Sequence, residues 1–159
     1  MARTPKSEEE KQKRRDDIRK AREEKFKVPQ KIDQFVGRTR WVETRRPDWR
    51  ITSDRRTSLF LTFSNFYEAS DKTWYDINQN DLNLWKSYHR AFVIFVMGDS
   101  AHCLVIPVST SETLLKGLVP ASDGTYKLLI KERSGRYAFI EQPRLDLAPF
   151  ENMFGLLSA

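Results

Sequence analysis

The sequence predicts an α+β domain: a largely antiparallel central sheet with short flanking helices, preceded by a charged N-terminal helix. Three observations carry this. Short runs rich in β-branched and aromatic residues follow one another at 58–63, 73–77, 91–97, 102–108, 126–131 and 137–141. Two junctions between them, Gly98-Asp99-Ser100 and Ser134-Gly135, are short enough for hairpins, which makes the strands they join antiparallel. Helical patterns fall between strands irregularly rather than after every one, which argues against a βαβ repeat.

Residues 7–27 open with Ser7 followed by Glu10, the spacing of a capping box. They contain no Gly or Pro and offer acid-to-base pairs four apart in Glu9/Lys13, Glu10/Arg14 and Asp16/Lys20. This predicts a helix. Its apolar side chains are only Ile18, Ala21 and Phe26, too few for a continuous stripe, so the helix is expected to project or to order on a partner. Pro29 should end it, with 28–37 as a linker. The chain then divides into a basic extension, 1–37, and a single domain, 38–159.

Within the domain, AFVIFVM (91–97) and CLVIPV (103–108) are continuously apolar rather than alternating, the mark of central strands covered on both faces. Pro107 cannot donate to a ladder and should end its strand. Asn78 with Asp81 opens a short helix through Leu82, Leu84, Trp85 and Tyr88; Ser109 with Glu112 opens another through Leu114, Leu115 and Leu118. Asp146 and Pro149 read as the start of a last helix carrying Phe150, Met153, Phe154 and Leu157.

A chain of 159 residues fits one domain with one sizeable core. Its charge of +6 is unevenly spread, with 19 Lys/Arg against 11 Asp/Glu in residues 1–56 and 9 against 11 in the rest. A basic N-terminal third of this kind suits polyanions, because each neutralised phosphate releases condensed counterion. A solvated surface or an acidic protein partner for residues 7–27 are the alternatives. The longest apolar run, 91–97, is too short for a bilayer span and the N-terminus is charged, so the reading is a soluble, cytoplasmic chain without membrane contact. Cys103 has no second cysteine to pair with. With two histidines and one cysteine, a zinc site would need carboxylates to complete it, and no metal or cofactor is expected.

The densest chemistry lies in residues 38–56, RTRWVETRRPDWRITSDRR. Arg38, Arg40, Arg45, Arg46, Arg50, Arg55 and Arg56 stand there among Trp41 and Trp49. Guanidinium groups bind phosphate bidentately or read guanine, and indole faces stack on unpaired bases, so all nine are candidate nucleic-acid-binding residues. The structural alternative makes the tryptophans core residues of one more strand, with the arginines covering their rims and pairing with Glu43, Asp48 and Asp54. A second aromatic group, Phe63, Phe66, Tyr67, Trp74, Tyr75, Trp85 and Tyr88, reads as core more readily than as a pocket. His102 and Cys103 are strand neighbours pointing to opposite faces, and His89 reads as structural. The carboxylate pairs Glu68/Asp71 and Asp76/Asp81 lie around loops and a helix start, where capping accounts for them.

Residues 58–108 (SLFLTFSNFYEASDKTWYDINQNDLNLWKSYHRAFVIFVMGDSAHCLVIPV), about a third of the chain, resemble a segment of prokaryotic restriction-associated proteins, including the later half of domains related to PD-(D/E)XK nucleases. The shared pattern is a strand, a hairpin leading into an I-x-x-x-D-L-x-x-W helix, then two apolar strands. In such nucleases the strand before this helix carries an acid-x-Lys or Gln-x-Lys pair that, with an upstream Asp, holds Mg²⁺ and positions the attacking water. Here Leu61-Thr62-Phe63 occupies that place, with Asp54 as the upstream acid on offer. The resemblance therefore implies a DNA-handling module of a restriction or antiviral defence system that binds without cutting. A Mg²⁺-dependent nuclease with ligands elsewhere is the alternative.

Overall fold

A computed structural model describes residues 7–37, 39–41, 48–64 and 72–158. The first element, α1 (Glu8–Val36), starts where expected: the Ser7 hydroxyl accepts from the Glu10 N–H while the Glu10 carboxylate accepts from the Ser7 N–H. It does not stop where expected. Pro29 lies inside the helix, and residues 28–36, expected as a linker, form its last turns. Proline removes one intrahelical donor, but Val28 and Ile32 on either side of it are fully buried against the sheet, and that burial offsets the loss. Residues 28–36 thus belong to a helix packed on the sheet.

The described strands are β1 (Thr39–Trp41), β2 (Trp49–Thr52), β3 (Thr57–Ser64), β4 (Lys72–Asn78), β5 (Arg90–Met97), β6 (Cys103–Pro107), β7 (Thr125–Arg133) and β8 (Arg136–Phe139). They form two sheets, ordered β1-β2-β3-β5-β6 and β4-β7-β8. Every pairing is antiparallel except β3 with β5, which the intervening β4 and α2 (Gln79–Trp85) connect as a crossover. The α+β class and the mostly antiparallel pairing hold. Alternation in β4 explains why it leaves the central sheet: Thr73, Tyr75 and Ile77 point inward while Trp74 and Asp76 are exposed, so it needs cover on one face only.

β5 and β6, by contrast, are covered twice. Val93, Phe95 and Met97, with Leu104 and Ile106, face the second sheet together with Tyr75, Ile77, Leu128, Ile130 and Phe139. Phe92, Ile94 and Val96, with Cys103 and Val105, face Val28 and Ile32 of α1 and the C-terminal Phe154 and Leu157. Helix, five-stranded sheet and three-stranded sheet therefore stack in layers. The two hairpins sit at Gly98–Ser100 and Ser134-Gly135 as the turn residues require.

Two further helices depart from expectation. α3 (Val108–Leu115) begins directly after Pro107 with no side-chain cap, because Val108 is needed in the core one residue earlier; Glu112 pairs with Lys86 at 2.5 Å instead. The C-terminal helix is two short 3₁₀ turns, Ala148–Phe150 and Phe154–Leu157, broken by Asn152 at φ 51°. The break covers an edge. Asn152 donates its backbone N–H to the Cys103 carbonyl at 2.7 Å and its side-chain amide N–H to that of Ala101 at 2.6 Å, and its side-chain oxygen accepts from the Cys103 N–H at 3.2 Å. A regular helix could not have satisfied β6 in this way.

Candidate nucleic-acid interface

Of the nine candidates, Arg38, Arg45 and Arg46 lie outside the described residues. Arg40 and Trp41 form β1, paired with Ile51 and Arg50 of β2. The remaining four divide by burial, and β2 decides how.

Trp49 faces the core. It is 7% exposed, its ring meets Tyr88 edge-on at 5.9 Å, and its indole N–H donates to the Ser58 hydroxyl at 2.7 Å. No face of this indole is open to a base, which corrects its reading as a stacking residue. Arg50, next along the strand, is buried on the opposite face. Burial pushes its guanidinium below the ordinary value, and the nearby Asp33 of α1 acts against that shift. It belongs to the contact between helix and sheet, not to the surface.

Arg55 and Arg56 are exposed at the turn between β2 and β3, and the sequence builds that turn tightly. The Asp54 carboxylate accepts from the Thr52 hydroxyl at 2.6 Å and from the Arg56 N–H at 2.9 Å, while the Thr57 N–H donates to the Thr52 hydroxyl at 3.1 Å. These hydrogen bonds, the Thr52 hydroxyl first, hold the Asp54 carboxyl below the usual range. Asp54, offered above as an upstream metal acid, is a turn cap. Arg55 sits at φ 59°, a left-handed conformation that costs an L side chain about 1–2 kcal/mol and glycine much less. Close by, Arg90 is not available to a ligand, because its guanidinium donates to the carbonyls of Leu156 and Leu157.

The second cationic surface is the N-terminal half of α1, where Lys11, Lys13, Arg14, Arg15, Arg19, Lys20 and Arg22 are all exposed. It sits at the far end of the sheet from the Arg55–Arg56 turn. Glu24 accepts from the Ser100 N–H at 3.0 Å in the hairpin after β5, and Lys25 pairs with Asp48 at 2.5 Å, whereas the Arg56 carbonyl accepts from Arg90 where β5 begins. Eight residues of β5 separate these ends, about 25 Å. Among the described residues these two basic groups do not converge on one cleft.

The second aromatic group is mostly core: Tyr75 and Trp85 are 2% exposed, and Trp85 stacks on Phe60 at 4.2 Å. Phe66 and Tyr67, like Glu68 and Asp71, lie outside the described residues. Trp74 is the exception, 51% exposed. His102 is exposed with its ring 2.8 Å from Asp99, while Cys103 is fully buried, so the two do not act together. In β3, Leu61 is buried against the layer that holds α1, and Thr62 and Phe63 are half-buried. Among the described residues no three His, Cys, Asp or Glu side chains group closely enough to hold a metal ion, and no helix is long and apolar enough to cross a membrane.

Comparison with known proteins found no matching family model and no curated protein or solved structure with detectable similarity.

Proposed function

We propose that this chain is a nucleic-acid-binding domain, with DNA favoured, acting in the cytoplasm as part of a prokaryotic restriction or defence system. The observation that carries the reading is the Arg55–Arg56 turn. Two adjacent guanidiniums stand in solvent on a backbone fixed by Asp54 and Thr52, and the first occupies a left-handed position where glycine would be less costly. The exposed cations of α1 supply a second, sequence-independent attraction to phosphate. The defence setting rests on the resemblance of residues 58–108, and the binding role without cleavage rests on the apolar Leu61 where that resemblance expects a metal-binding pair.

Titration of duplex DNA at several salt concentrations tests this. Affinity should fall linearly in a log–log plot, with a slope of about 0.9 per phosphate contacted, and Arg55→Ala with Arg56→Ala should lower that slope equally for all sequences. A flat salt response overturns the proposal. Cleavage dependent on Mg²⁺ or Mn²⁺ replaces it with the nuclease reading, and salt-insensitive capture of a protein through residues 7–27 replaces it with an interaction module.

A further inference from the structure

The outer face of the β4-β7-β8 sheet carries an arrangement that the fold does not require. Its inner face is complete, with Tyr75, Ile77, Leu128, Ile130, Tyr137 and Phe139 in the core. On the outer face the strand register sets Trp74 opposite Leu129, Lys72 opposite Lys131 and Asp76 opposite Lys127. Arg136, exposed at the start of β8, extends the same face. Trp74 is thus a half-exposed indole on this face, with cations to either side along the strands. Among the described residues none of Lys72, Lys127, Lys131 and Arg136 lies within ion-pairing distance of a carboxylate.

We infer that this face is a stacking platform for single-stranded nucleic acid, with a base on Trp74 and the backbone on Lys72, Lys131 and Arg136. An indole face binds any base, which suits a strand whose bases are unpaired, and cations spaced along the same sheet neutralise its phosphates. A duplex hides its base faces and has no use for the indole. The charge is polarised along the sheet. Toward Asn78 the face opens into a pocket of about 420 Å³ lined by Asp76, Asp123, Thr125 and Lys127. Carboxylates there repel phosphate and accept hydrogen bonds from exocyclic amines, so they direct bases rather than backbone to that end. The ligand class agrees with the function proposed above, but the residues are different, so either reading can fail alone.

The test uses the full chain with labelled oligothymidylate, oligouridylate and a duplex of equal length. Trp74→Ala should weaken binding of the single strands at least about fivefold and leave duplex affinity unchanged, Trp74→Phe should retain most of the affinity, and Lys72→Glu with Lys131→Glu should weaken it further. Quenching of tryptophan fluorescence by oligothymidylate should disappear in both Trp74 variants; it is the deciding measurement if Trp74→Ala lowers the thermal midpoint. Single-strand affinity that persists in Trp74→Ala, or quenching that persists in both Trp74 variants, overturns the platform. If Arg55→Ala with Arg56→Ala abolishes all binding while Trp74→Ala changes nothing, the proposed function stands and the platform falls; the opposite pattern keeps the platform and removes the turn. A wild-type dimer that Trp74→Ala converts to monomers, with no single-strand binding, assigns the face to a second copy of the chain and overturns the platform.

Discussion

Trp49 donates its indole N–H to the Ser58 hydroxyl across the β2–β3 pair, at 2.7 Å and with both side chains buried. The bond satisfies the one polar atom of a ring that otherwise packs among Phe60, Trp85 and Tyr88. Trp49→Ala should cost about 3–5 kcal/mol of folding stability, and Ser58→Ala, which strands the indole N–H, about 1–3 kcal/mol. Denaturant unfolding measures both. A Trp49→Ala protein that unfolds like the wild type but loses nucleic-acid affinity would remove this ring from the core.

The way α1 attaches predicts where truncation begins to matter. Every described side chain of α1 before Glu23 is exposed, so removing residues 1–22 should leave the thermal midpoint nearly unchanged. Extending the cut through residue 36 removes Val28 and Ile32, each worth about 1.5–3 kcal/mol of burial, and should unfold the five-stranded sheet. Circular dichroism melts of the two truncations distinguish this from a helix that contributes nothing along its whole length.

Glu24 makes part of that attachment depend on pH. Its carboxyl is held down to about 2 by the Lys27 ammonium first, then by the Ser100 N–H and hydroxyl. A carboxyl depressed in the folded state contributes stability that is present above its unfolded value of about 4.5 and is lost as pH falls toward 2. Wild type should therefore exceed Glu24→Gln in stability at pH 7, and the gap should close between about pH 4.5 and 2. A gap that is constant across that range would assign the effect to shape rather than charge.

Cys103 should be chemically silent in the native state. It is fully buried, and desolvation pushes its thiol up to about 12, so almost no thiolate exists at neutral pH. Iodoacetamide should label it only at the rate of unfolding, with labelling accelerating through the denaturant transition. Rapid modification of the folded chain would mean that the Asn152 turn opens locally.

The residues that announced themselves in the sequence were those whose neighbours in the chain decide their state. The Ser7–Glu10 cap, the Asn78 cap, both hairpin turns and the double-sided apolar runs at 91–97 and 103–108 all follow from local hydrogen-bonding chemistry and apolar patterning, and each stands in the structure, the second run ending its strand at Pro107. Asn152 gave no such signal, because its role is to complete the edge of a strand that lies about fifty residues earlier.

The candidate site was legible as chemistry but not as placement. Composition alone marked residues 38–56 as arginine-rich, yet successive residues of a strand point to opposite faces, so β2 puts Trp49 into one core layer and Arg50 into the other and leaves Arg55 and Arg56 outside. The same alternation acts in reverse on β4, where Trp74 looked like core and stands in solvent, because only one face of the three-stranded sheet is covered. By itself the sequence determined element types, caps, turns and the uneven charge, all of which act within a few residues. Tertiary structure decided which of two faces each side chain would occupy and carried α1 through Pro29, because those outcomes depend on what packs opposite, and burial of Val28 and Ile32 against a distant sheet outweighs a local helix breaker.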